Sequence, residues 1–335
     1  MYFRTLSSAL LLGGLCFADF KYEQTARVTG GYMLRMMQTV GRGATDPITI
    51  TTYVKGEQMA MQSPDSVTIF DLAAETTTTV NLKNQTYSVM TFAETKEQME
   101  KALANGGQSD VNLSAEGKET GKTATVNNMA TSEWFMTMPI DGGSGGQKGQ
   151  MRMEMSLWIS SSKVAGYEEV TNFQKKMVEK IGVASLAGPS GPMAQPGMAK
   201  GMAELNRKMA EMGGVPLITV MRMIPTDPDQ IKQIEAMQSQ PSSEGRPNMG
   251  DALAGALGGR LGGFGRKKKT EEAPTAAPAP KEPAKSAVPV EGSFSSALST
   301  IESMTELRNF STQSVDPAVF AIPTSFKKEV KPKGL

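Results

Sequence analysis

Histidine is absent from this chain of 335 residues, and cysteine occurs only once, as Cys16. A histidine general base, a cysteine–histidine nucleophile pair and a zinc site built from these residue types are therefore excluded. The chain also lacks a large excess of either charge, because it has 35 basic and 34 acidic residues. Nucleic-acid binding favours a basic excess. These absences predict a protein that is not an enzyme and does not bind nucleic acid.

The first 18 residues predict a secretory signal peptide. Arg4 supplies the positive charge, an apolar run follows over residues 5–17, and Cys16-Phe17-Ala18 fits the small-x-small cleavage pattern. The run is shorter than the ~20 residues that a membrane-spanning helix needs. Cleavage after Ala18 would remove both Arg4 and Cys16, leaving 34 basic residues against 34 acidic ones and no disulfide. The alternative is a lipid anchor on Cys16, although the residue before it is a leucine, which is larger than that pattern favours.

Period-two alternation predicts β-strands over most of the chain after residue 18. The alternation is clearest from Ile48 to Tyr53, and it recurs in short segments separated by polar turns such as Ser63–Ser66. Apolar residues at helical spacing predict three helices, at residues 93–105, 167–181 and 198–212. The chain is therefore predicted to be mainly β with some α-helix, and its first strands to form an antiparallel meander.

Changes in composition divide the chain into segments. Residues 19–224 form the main part of the predicted domain, and residues 225–292 are predicted to be a disordered insertion or linker. Residues 293–328 are predicted to be mostly strands that return to the main part, followed by a tail at residues 329–335. Glycines repeat every fourth residue within residues 250–265, a spacing that favours a loop but also allows transient membrane contact.

A set of short segments carries a family resemblance. These segments are Tyr53–Met59, Ile69–Leu72, Gln85–Met90, Gly121–Val126, Glu133–Trp134, Leu157–Ile159 with Gly166–Phe173, and Asp316–Pro323. They resemble bacterial exported proteins of unknown function in the LolA/LppX-like superfamily of lipoprotein carriers. The resemblance implies a periplasmic protein with a curved, incomplete antiparallel β-barrel, helices covering its open side and an apolar cavity inside. The insertion at residues 225–291 departs from the family pattern, and no residue set maps onto a known lipoprotein-binding site.

Methionine is abundant, with 25 residues, and many methionines lie two positions apart in predicted strands. Period two places such residues on one face of a sheet. The candidate lining residues of a ligand cavity are Met136, Met138, Met151, Met153, Met155, Trp134 and Trp158. Trp158 is the weakest of them because it is out of phase with Met155. Three interpretations stay open: core filling, an adaptable apolar cavity for acyl chains and copper(I) binding by soft thioethers.

The leading hypothesis is a soluble, monomeric periplasmic binding or carrier protein that holds a lipid, an acyl chain or a lipidated partner such as a lipoprotein. No catalytic residue, cofactor or metal site belongs to this hypothesis. One alternative is a structural or stress-related envelope protein without a small ligand. A further alternative is a protein that binds copper(I) through its methionines.

Overall fold

The computed structural model describes residues 19–32, 34, 46–105, 116–142, 149–182, 213–239 and 298–329. Strands account for most of these residues, so the prediction of a mainly β protein is confirmed. The strands are β1 (Phe20–Gly30), β2 (Ile48–Lys55), β3 (Gln58–Gln62), β4 (Ser66–Asp71), β5 (Thr76–Asn81), β6 (Thr86–Thr91), β7 (Glu116–Val126), β8 (Met129–Gly142), β9 (Gly149–Ser160), β10 (Pro216–Pro225), β11 (Ile301–Ser311) and β12 (Lys327–Lys328). The helices are α1 (Phe92–Asn105), α2 (Tyr167–Ile181), α3 (Pro228–Ser239) and a 3-10 turn (Pro317–Phe320).

The 12 described strands form one open sheet in the order β12-β6-β5-β4-β3-β2-β1-β11-β10-β9-β8-β7. Neighbouring strands are antiparallel throughout, except that β12 runs parallel to β6. Strands β2 to β6 form the predicted meander, because short connections join only strands that run in opposite directions. Strands β12 and β7 lie at the two edges, so the described sheet is not closed.

Strand β11 brings the end of the chain to the middle of the sheet. It lies between β1 and β10, with Thr305 opposite Ala26 on one side and Thr219 on the other. The spacing of Ile301 and Met304 would also suit a helix, but hydrogen-bonded neighbours on both sides satisfy an extended backbone. The sheet is therefore continuous only because a segment from beyond residue 292 enters it.

Helix α2 packs on the sheet over β1 and β2. Its first residue follows Gly166, whose φ of 84° is costly for any other residue. Space is a second constraint at Gly166, since an added Cβ would lie 2.5 Å from the Phe20 ring. The residues that α2 buries are the stripe predicted from the sequence, Val170, Phe173, Met177 and Ile181.

Four aromatic rings join the first and last long strands to helix α2. They belong to Phe20 and Tyr22 of β1, Tyr167 of α2 and Phe310 of β11, and their centroids lie 6.0 to 6.5 Å apart in all six pairs. Burial, with a smaller effect of the neighbouring Tyr22, raises the pKa of Tyr167 above its ordinary value. The cluster is therefore an uncharged part of the core.

Asp19 anchors the start of β1. Its Oδ2 accepts hydrogen bonds from Lys55 Nζ at 2.6 Å, from the Val315 amide at 2.7 Å and from Ser314 Oγ at 3.1 Å. Burial acts to raise the pKa of Asp19, but these three donors and the positive charge of Lys55 outweigh it and hold the pKa below its ordinary value. One carboxylate thus ties β1 to the end of β2 and to the chain after β11.

Helix α3 occupies part of the segment that is predicted to be a disordered insertion. Asp227 Oδ1 accepts hydrogen bonds from the backbone amides of Asp229 and Gln230 at the start of the helix, and Pro228 is its first residue. An acidic cap followed by proline is a standard helix start. Ile234 is buried, so the helix is also held by packing. The linker prediction is therefore corrected for residues 228–239.

Several predicted features lie outside the described residues. They are the signal peptide with Cys16, the helix at residues 198–212, the remainder of the insertion with its glycine repeat at residues 250–265, and the tail after residue 329.

Candidate functional site

Methionine side chains dominate one core cluster of the sheet. Its buried members are Met136, Met138, Met153, Met155, Leu157 and Ile159, and the partly buried side chains packed against them are Trp134, Met151, Met221 and Met223. These ten residues are called the methionine cluster below. All of them lie on β8, β9 and β10, which are neighbours in the sheet. Seven of the ten are methionines, so the cluster is made largely of flexible side chains.

The strand register arranges six of these methionines in two rows across the sheet. In the first row Met155 of β9 lies opposite Met136 of β8 and Met221 of β10. In the second row Met153 lies opposite the two methionines that follow at a spacing of two, Met138 and Met223. Directly opposite residues of antiparallel strands share a face, with Cβ atoms about 4.5–5.5 Å apart. Each row is therefore a line of three adjacent methionine residues.

The methionine cluster is separate from the core beneath helix α2. The side chains that α2 buries, Val170, Phe173, Met177 and Ile181, all belong to the other core cluster. Helix α2 and the methionine rows therefore take part in two different core clusters of the protein.

Six of the seven predicted site residues come together in this cluster. Met136, Met138, Met153 and Met155 are buried there, and Trp134 and Met151 are partly buried beside them. The exception is Trp158, which belongs to the other core cluster of the protein.

Trp158 is separated from the methionines by the alternation of β9. It lies opposite Glu133, whereas its neighbour Leu157 lies opposite Trp134 in the methionine cluster. The predicted assignment of Trp158 to the cavity lining is therefore corrected. The residue nevertheless does not face solvent, since only 1% of its surface is exposed.

Met221 and Met223 were not among the predicted lining residues, yet they complete both rows. Their own spacing of two was the available signal in the sequence. The sequence does not show, however, which strand pairs with the side of β9 that faces away from β8. Strand β10 takes that position through pairing between segments that are distant in the chain.

The opposite face of β8 and β9 carries two buried carboxylates besides Trp158. Buried Glu133 accepts hydrogen bonds from Ser156 Oγ at 2.6 Å and from Thr120 Oγ1 at 2.8 Å. Buried Glu154 accepts from Arg152 Nε at 3.0 Å. A buried carboxylate is costly unless it has such partners, so both contacts stabilise the fold.

A second ion pair lies on the same face, near the centre of the sheet. Arg222 of β10 lies opposite Glu154 on one side and Glu302 of β11 on the other. Its Nε donates to Glu302 Oε2 at 2.5 Å, and Thr29 Oγ1 donates to the other carboxylate oxygen at 2.7 Å. The face opposite the thioethers therefore carries buried ion pairs together with the apolar side chains of Trp158, Ile218 and Val220.

A groove of about 350 Å³ lies between helix α2 and the turn after β2. It is lined by Gly56, Glu169, Asn172, Phe173, Lys175, Lys176 and Glu179. None of the predicted site residues lines this groove, and most of its side chains are polar or charged. Its chemistry therefore differs from that of the apolar cavity expected from the sequence.

Comparison with protein-family models finds no match, and comparison with curated proteins finds no significant relative. The resemblance to the lipoprotein carriers therefore stays a prediction. Within the described ranges, no three or more aspartate, glutamate, cysteine or histidine side chains are grouped closely enough to hold a metal ion. None of the described helices is both long enough and apolar enough to cross a membrane.

Proposed function

We propose that this protein is a non-enzymatic periplasmic binding or carrier protein that holds a lipid acyl chain, free or attached to a partner, on the methionine cluster. The two methionine rows are the observation that supports this proposal. In this hypothesis the sheet curves into the incomplete barrel implied by the family resemblance, and helices cover the face that carries the rows.

Thioether side chains suit an acyl ligand because they are apolar and adaptable. Methionine has more rotatable bonds than leucine or isoleucine and fills irregular space readily. Surfaces rich in methionine can repack around ligands of different shape. Met221, Met223 and Met151 are only partly buried, so an acyl chain would enter from the side of these residues.

The hydrophobic effect supplies the driving force in this mechanism. Each buried methylene contributes about 0.8 kcal/mol. Part of that free energy is offset by the lost motion of protein and ligand. The surrounding methionine side chains would change rotamer to admit the acyl chain and would repack in the core after its release.

The two tryptophans of the chain allow a direct test, because they lie on opposite faces of the same sheet. A fatty acid with bromine in mid-chain quenches tryptophan fluorescence on contact. We expect it to quench Trp134 strongly in a Trp158→Phe variant and to leave Trp158 largely unaffected in a Trp134→Phe variant. Equal quenching of both residues, or none, would contradict the proposed site.

Substitution of a partly buried methionine tests the same site from the protein side. Met221→Gln adds a polar amide at the accessible end of one row, and we expect it to weaken binding by about tenfold, or 1.4 kcal/mol. Met90→Gln is the matched control, because Met90 is also half-buried but lies at the far side of the sheet. Native mass spectrometry of protein purified from its own cells adds an independent measurement. Absence of any co-purifying lipid there, together with absent quenching, favours the structural envelope protein instead.

A further inference from the structure

The methionine rows have a second chemical property besides being apolar, namely that their sulfur atoms are soft ligands. Cu(I) and Ag(I) prefer such ligands, whereas harder ions prefer oxygen or imidazole. We propose that the two rows of three methionines bind a soft monovalent cation, with Cu(I) as the biological ion. This inference does not rest on the acyl-chain proposal.

The register brings three sulfur ligands within reach of one ion in each row. Neighbouring strands are about 4.8 Å apart, so the outer strands β8 and β10 are separated by about 9.6 Å. In the first row, Met155 of the middle strand lies between Met136 and Met221. The Met136 side chain lies against Gly117 of β7, so it would rotate towards Met155 when an ion binds. Met138, Met153 and Met223 repeat the arrangement in the second row.

The rows lie at the border of the core, where a bound cation can stay close to water. Thioethers are neutral, so the bound ion keeps its charge, and a charge enclosed in apolar surroundings is very costly. Met221 and Met223 are only partly buried. An ion held towards the β10 end of a row is therefore close to water and to counter-ions, and it has a route of entry.

Anaerobic titration tests this inference on the whole protein. The protein competes for Cu(I) with the coloured chelator bicinchoninate, and ascorbate keeps the copper reduced. We expect the wild type to remove copper from the chelator and Met153→Leu/Met155→Leu to bind at least about tenfold more weakly. Met59→Leu is the matched control, since Met59 is equally buried but belongs to the other core cluster.

Substitution by leucine keeps the apolar volume of the side chain and removes only its sulfur. Should the double variant fold poorly, Met221→Leu alone removes one sulfur from the more exposed end, and we expect it to weaken uptake by one of the two rows. Unchanged copper binding in the correctly folded leucine variants overturns the inference. So does a wild type that takes no copper, or an equal loss in Met59→Leu.

Two further measurements serve as controls. The first distinguishes thioether ligation from copper binding by carboxylates or amines, and the second distinguishes the copper site from the acyl-chain site. Because thioethers do not titrate, we expect copper affinity to stay constant between about pH 5 and pH 7, whereas ligands that bind protons would lose affinity at the lower pH. In addition, the leucine variants should keep the quenching of Trp134 by brominated fatty acid while losing copper. A wild type that binds copper but shows no quenching of Trp134 would instead contradict the acyl-chain proposal alone.

Discussion

Asp19→Asn tests the anchor that joins the start of β1 to two distant parts of the chain. The substitution keeps the shape of the side chain and removes its negative charge. A hydrogen bond to a charged group contributes roughly 1.5–3 kcal/mol and a neutral one roughly 0.5–1.5 kcal/mol, so about 1 kcal/mol is lost at each strong contact. Lys55 is 33% exposed, and solvent screening reduces its share. We therefore expect a loss of about 2 kcal/mol in the free energy of unfolding at neutral pH.

This cost should depend on pH in a defined direction. The pKa of Asp19 is lower in the fold than in the unfolded chain, where an aspartate has a pKa of about 3.9. The stabilisation is therefore complete well above pH 4 and disappears as the pH falls through the lower pKa of the folded state. Wild type and variant should differ in urea denaturation at neutral pH and converge in acid.

An exposed ion pair of similar length provides the control. Asp65 lies 2.7 Å from Lys83, but the two side chains are 58% and 69% exposed. Asp65→Asn should therefore cost only about 0.5 kcal/mol. The reasoning about Asp19 is refuted if the two variants lose the same stability, or if the cost of Asp19→Asn is unchanged in acid.

Two further predictions concern the backbone and the polar face. Gly166→Ala should lower the free energy of unfolding by about 2–4 kcal/mol, because it combines a left-handed backbone with a clash against Phe20. Gly121→Ala should lower the free energy of unfolding by only about 1 kcal/mol in urea denaturation, because φ is also positive there but no atom lies within 4 Å of the added Cβ. Equal losses in the two variants would contradict the role of the clash. Arg222→Leu should cost about 3 kcal/mol by removing the charged partner of buried Glu302. Adding Glu302→Leu should recover more than half of that loss, and a double variant as unstable as the single one would contradict this account.

Local patterns in the sequence were sufficient to predict the class of the fold and helix α2 with its buried stripe. Alternation of period two reflects the geometry of a strand, and the stripe from Val170 to Ile181 reflects the geometry of a helix. Both signals depend only on near neighbours in the chain. The predicted pairs at Met136 and Met138 and at Met153 and Met155 are on one face for the same reason.

Helix α3 shows where composition misled the prediction. The segment after residue 225 precedes a long polar stretch, and the average composition of the two together predicts a linker. The acidic cap at Asp227 and the proline after it were readable signals of a helix start. A local capping pattern therefore carried more information there than the average composition of the surrounding segment.

The sequence by itself determined which residues could share a face, because alternation along a strand is a property of the backbone. It thus determined the methionine pairs, and also the absence of histidine and of any cysteine beyond Cys16. Only the tertiary structure decided that β10 pairs with β9, which places Met221 and Met223 beside the methionines of β9 and completes two rows of three. It also decided that Trp158 belongs to the other core cluster. The physical reason is that strand order and register come from hydrogen bonds between distant segments, whose energies no local pattern contains.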